Sequence, residues 1–251
     1  ALPAAVRASI PLVIFAGESP LNKNWYNQQI EQRPLVEATG ARYLALHSHD
    51  RFEEGIQEAF LTAERDQIPV VIGTPFDLLH DDCTAPPKND YPLFKTYQES
   101  VSLPSASKDD VLALVSAMMR AERPVIMAGI GASEPATVHQ LAVLAEKCDA
   151  FLVTTLPARG LFHKDPFYLG VAGGFASQVT RKFLADADLI VTFGASISSH
   201  NSDQQKLWPN ASVIQVTLNP QLYFQGHKTS NRIIVGDSYR IVSELNQQVD
   251  Q

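Results

Sequence analysis

In the second half of this sequence, small residues follow one apolar segment after another, and they are the residues best suited to hold a ligand. Glycine lets a ligand approach the backbone closely, and a free backbone N–H can bind a phosphate or ribose oxygen. In an open parallel sheet, ligands bind beyond the carboxyl ends of the strands. The candidate binding residues at such positions are Gly129, Gly131, Ala132, Thr155, Leu156, Gly173, Gly174, Gly194, Ala195, Ser196 and Asn219.

The first of these turns, Gly129-Ile130-Gly131, is an incomplete dinucleotide-binding fingerprint. The third glycine is missing, because Glu134 stands at its position. A lone Gly-x-Gly is often no more than a tight turn between a strand and a helix. Several small-residue ends in one sheet together favour a ligand crevice, for which two interpretations stay open. The chain is a nucleotide-binding module without catalysis, or the crevice is structural and holds nothing.

Other chemistry has weaker support in the sequence. His47, His49 and Asp50 have the spacing of metal ligands. No further Cys or His completes the set, and Asp50 is predicted to cap a helix, so we expect no metal there. The sequence also lacks a Gly-x-Ser-x-Gly nucleophile elbow and supports no Ser–His–Asp arrangement. We therefore name no catalytic residue.

The first 80 residues contain elements typical of a parallel α/β domain. Apolar runs predict strands at 11–15, 41–46 and 69–73. Between the last two, apolar residues at helical spacing predict a helix over 51–66. Asp50 followed by Glu53 has the pattern of a capping box at the start of that helix. We interpret residues 1–80 as part of a domain, because the strand at 11–15 is expected to pair with an upstream partner that these residues lack.

A proline- and serine-rich stretch at 81–107 predicts a linker to a second domain at 108–251. The second domain alternates strands and helices, and its β-branched strands indicate burial on both faces of a sheet. Its predicted fold is a doubly wound parallel sheet of the Rossmann-like class. We predict helices at 108–122, 135–147, 175–185 and 238–249, and strands at 124–129, 151–155, 189–193, 213–216 and 233–235.

Charge and composition exclude several classes of protein. The 251 residues carry a formal net charge of −7 and have no basic cluster, which argues against nucleic acid and anionic membranes as partners. No apolar run has the length of a membrane-spanning helix. The two cysteines, Cys83 and Cys148, are too few for a disulfide framework and indicate reduced thiols in a cytoplasmic protein.

The order of motifs resembles the thiamine-diphosphate-dependent enzymes, in particular the acetolactate synthase and benzoylformate decarboxylase group. The likeness in the second domain is carried by RPVIMAGIGAS, by TTLPARGLFHKDPFYLGVAGG, by LADADLIVTFGASIS and by PNASVIQVTLNP. These motifs are similar to the family's central domain. Upstream, PLVIFAGESP and IPVVIGTPFDLL resemble the second half of its pyrimidine-binding domain.

The resemblance implies a thiamine-diphosphate- and magnesium-dependent enzyme that acts on a 2-oxo acid, by decarboxylation or carboligation, as a homodimer or homotetramer. In that family, the cofactor supplies the electron sink for the reaction. Gln28 matches the glutamine of an FQE-like motif near the cofactor, although the following glutamate is Gln29 here. The family's catalytic glutamate and its GDG…N motif have no counterpart in these residues. We therefore expect a fragment of a longer enzyme that is inactive alone.

Some family members bind FAD in the central domain and others bind an adenine nucleotide such as ADP, so the resemblance implies either ligand or none. The stretches that contact flavin depart from the family pattern. The family's GMHG is replaced by Gly170 to Gly173, and its RFDDR by Ser196 to His200. The two aspartates after a later strand are replaced by Thr217 and Asn219.

Overall fold

The structure is a computed structural model, and it describes residues 1–82 and 102–249. The chain divides into two compact units, Ala1–Ser102 and Leu103–Gln251. Most of the predicted linker, residues 83–101, lies outside the described residues, as does Cys83. None of the described helices combines the length and the hydropathy that crossing a bilayer requires.

The first unit is built on a three-stranded parallel sheet in the order β1-β3-β2. Its central strand is apolar and buried along its whole length, as expected for a strand flanked on both sides. The strands run over β1 (Leu12–Glu18), β2 (Arg42–Ala45) and β3 (Pro69–Pro75), and the helices over α1 (Leu2–Arg7), α2 (Gln32–Glu37), α3 (Phe52–Asp66) and α4 (Phe76–His80).

Helix α3 occupies nearly the predicted range but begins differently from the prediction. A short 3-10 turn over His49–Arg51 leads into it, and no side chain caps its first turn. The predicted capping box of Asp50 and Glu53 is therefore wrong. The 3-10 turn takes Asp50 into helical geometry, whereas a cap needs an extended residue at that point. At the other end, Gln67 stops the helix in a left-handed conformation with φ of 52°.

The second unit contains a six-stranded, fully parallel sheet in the order β11-β8-β7-β4-β5-β6. Counted within the unit, this is the 3-2-1-4-5-6 order of the doubly wound nucleotide-binding fold. The predicted fold class is thus confirmed. The strands are β4 (Pro124–Ala128), β5 (Phe151–Thr154), β6 (Tyr168–Val171), β7 (Leu189–Phe193), β8 (Ser212–Thr217) and β11 (Arg232–Val235).

Helices cover the two faces of this sheet unequally, and alternate strand residues contribute to the core on each face. Three helices pack on one face with Ile126, Val191 and Val216 in the core beneath them. A single helix and the segment around Trp208 cover the other face, over Val125 and Ile190. The helices are α5 (Lys108–Arg120), α6 (Pro135–Lys147) and α8 (Ser238–Val249) on the first face and α7 (Gln178–Ala185) on the second.

Two features of the second unit were not expected from the sequence. Strand β6 forms an edge of the sheet, and its register against β5 is irregular. Its four residues are all half-buried, and Gly170, with φ of +98°, interrupts the short apolar run. Tyr223–Phe224 (β9) and His227–Lys228 (β10) form a short hairpin, in which Tyr223 is exposed.

Candidate functional site

The candidate site lies at the carboxyl edge of the six-stranded sheet. The strand order reverses between β4 and β7, which are direct neighbours although residues 129–188 lie between them in the chain. In open α/β sheets, the crevice at such a reversal is where ligands bind. The two segments that leave the sheet there are Gly129–Ser133 after β4 and Gly194–Ser196 after β7.

These two segments pack backbone against backbone. The amide of Gly131 donates to the carbonyl oxygen of Gly194 at 3.0 Å. A Cβ atom on Gly129 would lie 2.5 Å from the Cα of Ala195, and one on Gly194 would lie 2.6 Å from the Cα of Gly131. The glycines at this point are therefore required by the close approach of two turns, as the interpretation of a tight strand-to-helix turn predicts.

The backbone amides that the sequence offered to a phosphate donate within the protein instead. The amide of Thr155 donates to the last carbonyl of β4, and that of Gly174 donates to His200. A phosphate at this edge would thus have to compete with formed hydrogen bonds. The amides with such internal acceptors are those of Gly129, Gly131, Ala132, Thr155, Gly174, Gly194 and Asn219.

The segment after β6 contacts His200 and Asn201, which follow the turn at Gly194–Ser196 in the chain. Gly173 has φ of +96°, and a Cβ atom there would lie 3.1 Å from the Cα of Asn201. Arg181 on α7 links the two segments. Its guanidinium donates to the carbonyls of Gly173 and Gly174 and pairs with Asp203 at 2.7 Å. This connection was not evident from the sequence, because Arg181 lies 22 residues from its partner.

The charges at this edge do not favour a diphosphate beside α6. Glu134 occupies the N-cap position of that helix, where a dinucleotide-binding fold places its third glycine. Its carboxylate would repel a phosphate at the helix N-terminus. Within residues 1–82 and 102–249, no group of three His, Cys, Asp or Glu side chains is arranged to hold a metal ion.

Exposed apolar side chains are the residues that sequence reasoning missed at this edge. Ile130 is 61% exposed, Phe175 is 77% exposed and Leu218 is 50% exposed. Each follows the end of a different strand, as does the predicted residue Leu156, which is 37% exposed. The sequence did contain a signal for these residues: each is an apolar residue that follows a strand and lies next to a glycine or a turn. Such side chains suit the flat face of a nucleobase or flavin ring better than a phosphate.

The remaining predicted residues are less closely tied to one another. Ser196 is exposed, and its carbonyl accepts a hydrogen bond of 2.5 Å from the side chain of Asn201. Asn219 is exposed on the segment after β8. Gln28 belongs to the first unit, where it is exposed and accepts from the hydroxyl of Tyr26 at 3.4 Å. The structure thus brings together the turns after β4 and β7, but not the whole predicted set.

A concave pocket of about 200 Å³ lies elsewhere in the second unit. It is lined by the buried Trp208 and by Val213 and Asn231, which stand at the beginnings of β8 and β11. The beginnings of the strands are the opposite edge from the candidate site. The pocket is therefore separate from the glycine-bearing turns.

Comparison with known proteins gives a consistent result for the second unit. A family described as "Thiamine pyrophosphate enzyme, central domain" matches residues 111–245, which is more than half of the chain. Those residues include the turns after β4, β5, β6, β7 and β8.

Similar proteins extend the match across both units. Pyruvate oxidase from Lactiplantibacillus plantarum is 27% identical over 198 residues, which cover 78% of this chain and 32% of that protein. The large subunit of acetolactate synthase isozyme 3 from Escherichia coli is 25% identical over 261 aligned positions, with 97% of this chain and 43% of that protein covered. The chain therefore spans less than half the length of these relatives.

A solved structure shares the fold. The crystal structure of benzoylformate decarboxylase from Polynucleobacter necessarius superposes with a TM-score of 0.75 and covers 98% of this chain and 46% of its own. The sequences are 19% identical over that match, so it bears on the fold alone.

Proposed function

Since this chain belongs to the thiamine pyrophosphate enzyme family, whose central domain it contains, we propose that it is part of a thiamine-diphosphate- and magnesium-dependent enzyme that converts a 2-oxo acid. The observation that carries the proposal is the match over residues 111–245. The acetolactate synthase likeness, which extends over 97% of the chain, supports a reaction of that type. In such an enzyme the thiamine ring, when bound, stabilises the carbanion formed from the substrate.

Within that enzyme, residues 1–80 are proposed to be part of the pyrimidine-binding domain, 81–107 the linker and 108–251 the central domain. The proposed role of Gln28 is to contact the thiamine cofactor or its substrate from the first unit. This role rests on the match to the family's FQE-like motif and on the exposure of the side chain. For the thiamine-dependent reaction we propose no acid, base or metal ligand among the described residues. The 251 residues are accordingly proposed to be inactive alone, and the whole enzyme to be a cytoplasmic homodimer or homotetramer.

Activity of the natural gene product tests this proposal. We expect a protein about twice as long as this chain that releases CO₂ from pyruvate or another 2-oxo acid. Gel filtration with EDTA should abolish the activity, and thiamine diphosphate with Mg²⁺ should restore it. The 251-residue chain should show no turnover under the same conditions. A natural product of 27.5 kDa, or one whose activity ignores added thiamine diphosphate, would contradict the proposal.

A second candidate function is a nucleotide-binding module, which the reversal of strand order between β4 and β7 favours. The ligand would be FAD or ADP, with its ring against Ile130 and Leu218 rather than its phosphates on the glycine amides. Ser196 and Asn219 are the exposed polar side chains at this edge that could bind a ribose.

Calorimetric titration of the 251-residue chain with FAD, ADP and NAD tests the second candidate. Ile130→Asp should abolish any binding, because it places a charge against the ring. Val179→Asp is a matched control, since Val179 is 62% exposed on α7 and follows no strand end. If no ligand binds at millimolar concentration, the second candidate function is wrong. The crevice is then structural and holds no nucleotide.

A further inference from the structure

Three titratable side chains meet at the carboxyl edge of the other sheet, in the first unit. Glu18 is the last residue of β1, Tyr43 lies on β2 and His47 follows β2. The hydroxyl of Tyr43 donates a short hydrogen bond to one carboxylate oxygen of Glu18. The other oxygen lies 2.5 Å from Nε2 of His47. Both oxygens of this carboxylate therefore have a partner on β2 or in the segment that follows it.

The side chain of Tyr43 reaches Glu18 by passing over β3, and Gly73 makes that path available. A Cβ atom on Gly73 would lie 2.5 Å from Cζ of Tyr43 and 2.8 Å from the carboxylate of Glu18. The guanidinium of Arg33 stands 5.0 Å from the centre of the tyrosine ring on its other side. Tyr43 is itself buried, with 8% of its surface exposed, so its position is fixed.

Burial and the hydrogen bond to Glu18 raise the pKa of Tyr43 well above its ordinary value. The phenol therefore keeps its proton at neutral pH and acts as a donor to the carboxylate. A carboxylate that holds this donor on one oxygen accepts from His47 on the other. The proton between Glu18 and His47 then belongs to Nε2 of the imidazole, which fixes the tautomer.

The second ring nitrogen of His47 is the reactive position of the cluster. The imidazole side chain is 48% exposed, and no described residue forms a hydrogen bond with its Nδ1. With the proton held on Nε2, Nδ1 carries the lone pair. A histidine whose N–H is held by a carboxylate while its other nitrogen faces a ligand is the arrangement of general bases in many enzymes.

We propose that Tyr43, Glu18 and His47 form a second site, in which Glu18 fixes the imidazole of His47 as a proton acceptor for a small hydroxyl- or amine-bearing ligand at the carboxyl edge of the three-stranded sheet. This edge is where parallel sheets bind ligands. The site is built from β1, β2 and the segment after β2, and it shares no residue with the glycine-bearing turns. It does not depend on the function proposed for the whole enzyme.

The proton step is simple. The ligand's O–H or N–H bond breaks, its proton moves to Nδ1, and its electron pair stays on the oxygen or nitrogen. His47 then carries a positive charge, and the neighbouring carboxylate of Glu18 stabilises this imidazolium. Nδ1 then loses its proton to water, which restores the neutral imidazole of His47.

The tautomer of His47 is the first test, by ¹⁵N NMR of the 251-residue chain at a pH where the imidazole is neutral. We expect the Nε2–H form for His47 in the wild type. We expect a mixture of tautomers in Glu18→Gln, because the neutral amide can also donate to the ring. A wild-type Nδ1–H form, or the same tautomer ratio in the variant, would overturn the proposal.

The reactivity of Nδ1 is the second test, with diethyl pyrocarbonate as the probe. Nδ1 attacks a carbonyl carbon of the reagent, ethyl carbonate leaves, and the Nε2 proton is lost to solvent. His163 is the matched control in the same chain, because it is exposed and its Nδ1 lies 2.9 Å from a neutral acceptor, the carbonyl of Gly160. Peptide mass spectrometry reports both sites in one sample.

We expect His47 to react several-fold faster than His163 in the wild type. In Glu18→Gln the rate at His47 should fall to that of His163, whereas the rate at His163 should not change. The unchanged rate at His163 reports only on the second unit. Protection of the amides of β3 against hydrogen exchange, equal in wild type and variant, shows that the first unit has kept its fold. If His47 reacts no faster than His163, or if Glu18→Gln leaves its rate unaltered, the carboxylate does not activate the imidazole and the proposal is wrong.

Discussion

Gly129 lies so close to Ala195 that a Cβ atom on the glycine would stand 2.5 Å from the Cα of that alanine. The two residues end neighbouring strands at the point where the strand order of the six-stranded sheet reverses. A side chain at position 129 would separate the two turns or displace them. The amide of Gly129, which donates to the carbonyl of Phe193 at 2.9 Å, would lose its acceptor if they separated.

Gly129→Ala should therefore lower the free energy of unfolding by about 1–3 kcal/mol, the usual effect of overpacking against a rigid backbone. The matched control is Gly174→Ala at the same edge of the sheet, where a Cβ atom would meet nothing within 4 Å. Urea denaturation of both variants measures the difference. Equal stabilities would mean that the turn after β4 can move away from the turn after β7.

Gly73→Ala should disturb the first unit in a comparable way, because its Cβ atom would displace the ring of Tyr43. We expect a loss of about 1–3 kcal/mol. We also expect Tyr43 to ionise at lower pH than in the wild type, since its hydrogen bond to Glu18 would be broken. Absorbance at 295 nm during alkaline titration follows that ionisation. Gly17→Ala on the neighbouring strand meets nothing within 4 Å and should change neither quantity.

Arg181→Met should loosen the segments after β6 and β7. The substitution keeps the aliphatic part of the side chain but removes the hydrogen bonds to Gly173 and Gly174 and the pairing with Asp203. Because the ion pair is over a third exposed, we expect a modest loss of about 1 kcal/mol. Lys182→Met is the control, because it removes one positive charge from the next, exposed position of α7. It should leave the stability nearly unchanged.

Thermal denaturation at low and high salt measures the effect of Arg181. The deficit of Arg181→Met should shrink as salt rises, because salt screens the exposed pair in the wild type. Amide hydrogen exchange should become faster at residues 173–176 and 198–203 in this variant only. Unchanged exchange there would show that the backbone holds these segments without the guanidinium.

Asp110 should make stability depend on pH. Its carboxylate accepts from the hydroxyl of Ser107 at 2.7 Å and from Arg232 at 2.6 Å, and these contacts lower the pKa of Asp110 from its ordinary 3.8. The folded state thus binds the proton more weakly than the unfolded state does. The stabilisation is complete above the unfolded value and is lost as the pH falls through the folded value.

The free energy of unfolding of the wild type should accordingly exceed that of Asp110→Asn at pH 7, and the difference should diminish below about pH 4. Asp109→Asn is the control, because Asp109 is exposed in the same first turn of α5. Urea titrations at pH 7, 5 and 3 provide the comparison. A difference that does not change with pH would assign the effect of Asp110 to packing rather than to charge.

Local sequence patterns determined most of the elements. Helix α6 spans the predicted residues 135–147, and α5 begins at the predicted residue 108, where Ser107 accepts from the amide of Asp110. Strands such as β7 were recognisable because they are buried on both faces and therefore apolar throughout. Edge strand β6 was missed because it has only four residues and Gly170 interrupts its apolar run. The order of the motifs also sufficed to indicate the family.

The contacts that decide chemistry join residues far apart in the chain, and only the tertiary structure revealed them. Gly129 and Gly131 have the same sequence pattern in a ligand site and in a tight turn, and only the structure shows that the turn at Gly194 packs against both of them. Glu18, Tyr43 and His47 come together only because parallel strands order themselves as β1-β3-β2 and Gly73 leaves room between them. A local pattern sets the conformation of a segment, whereas the neighbours of its side chains are set by how distant segments pack.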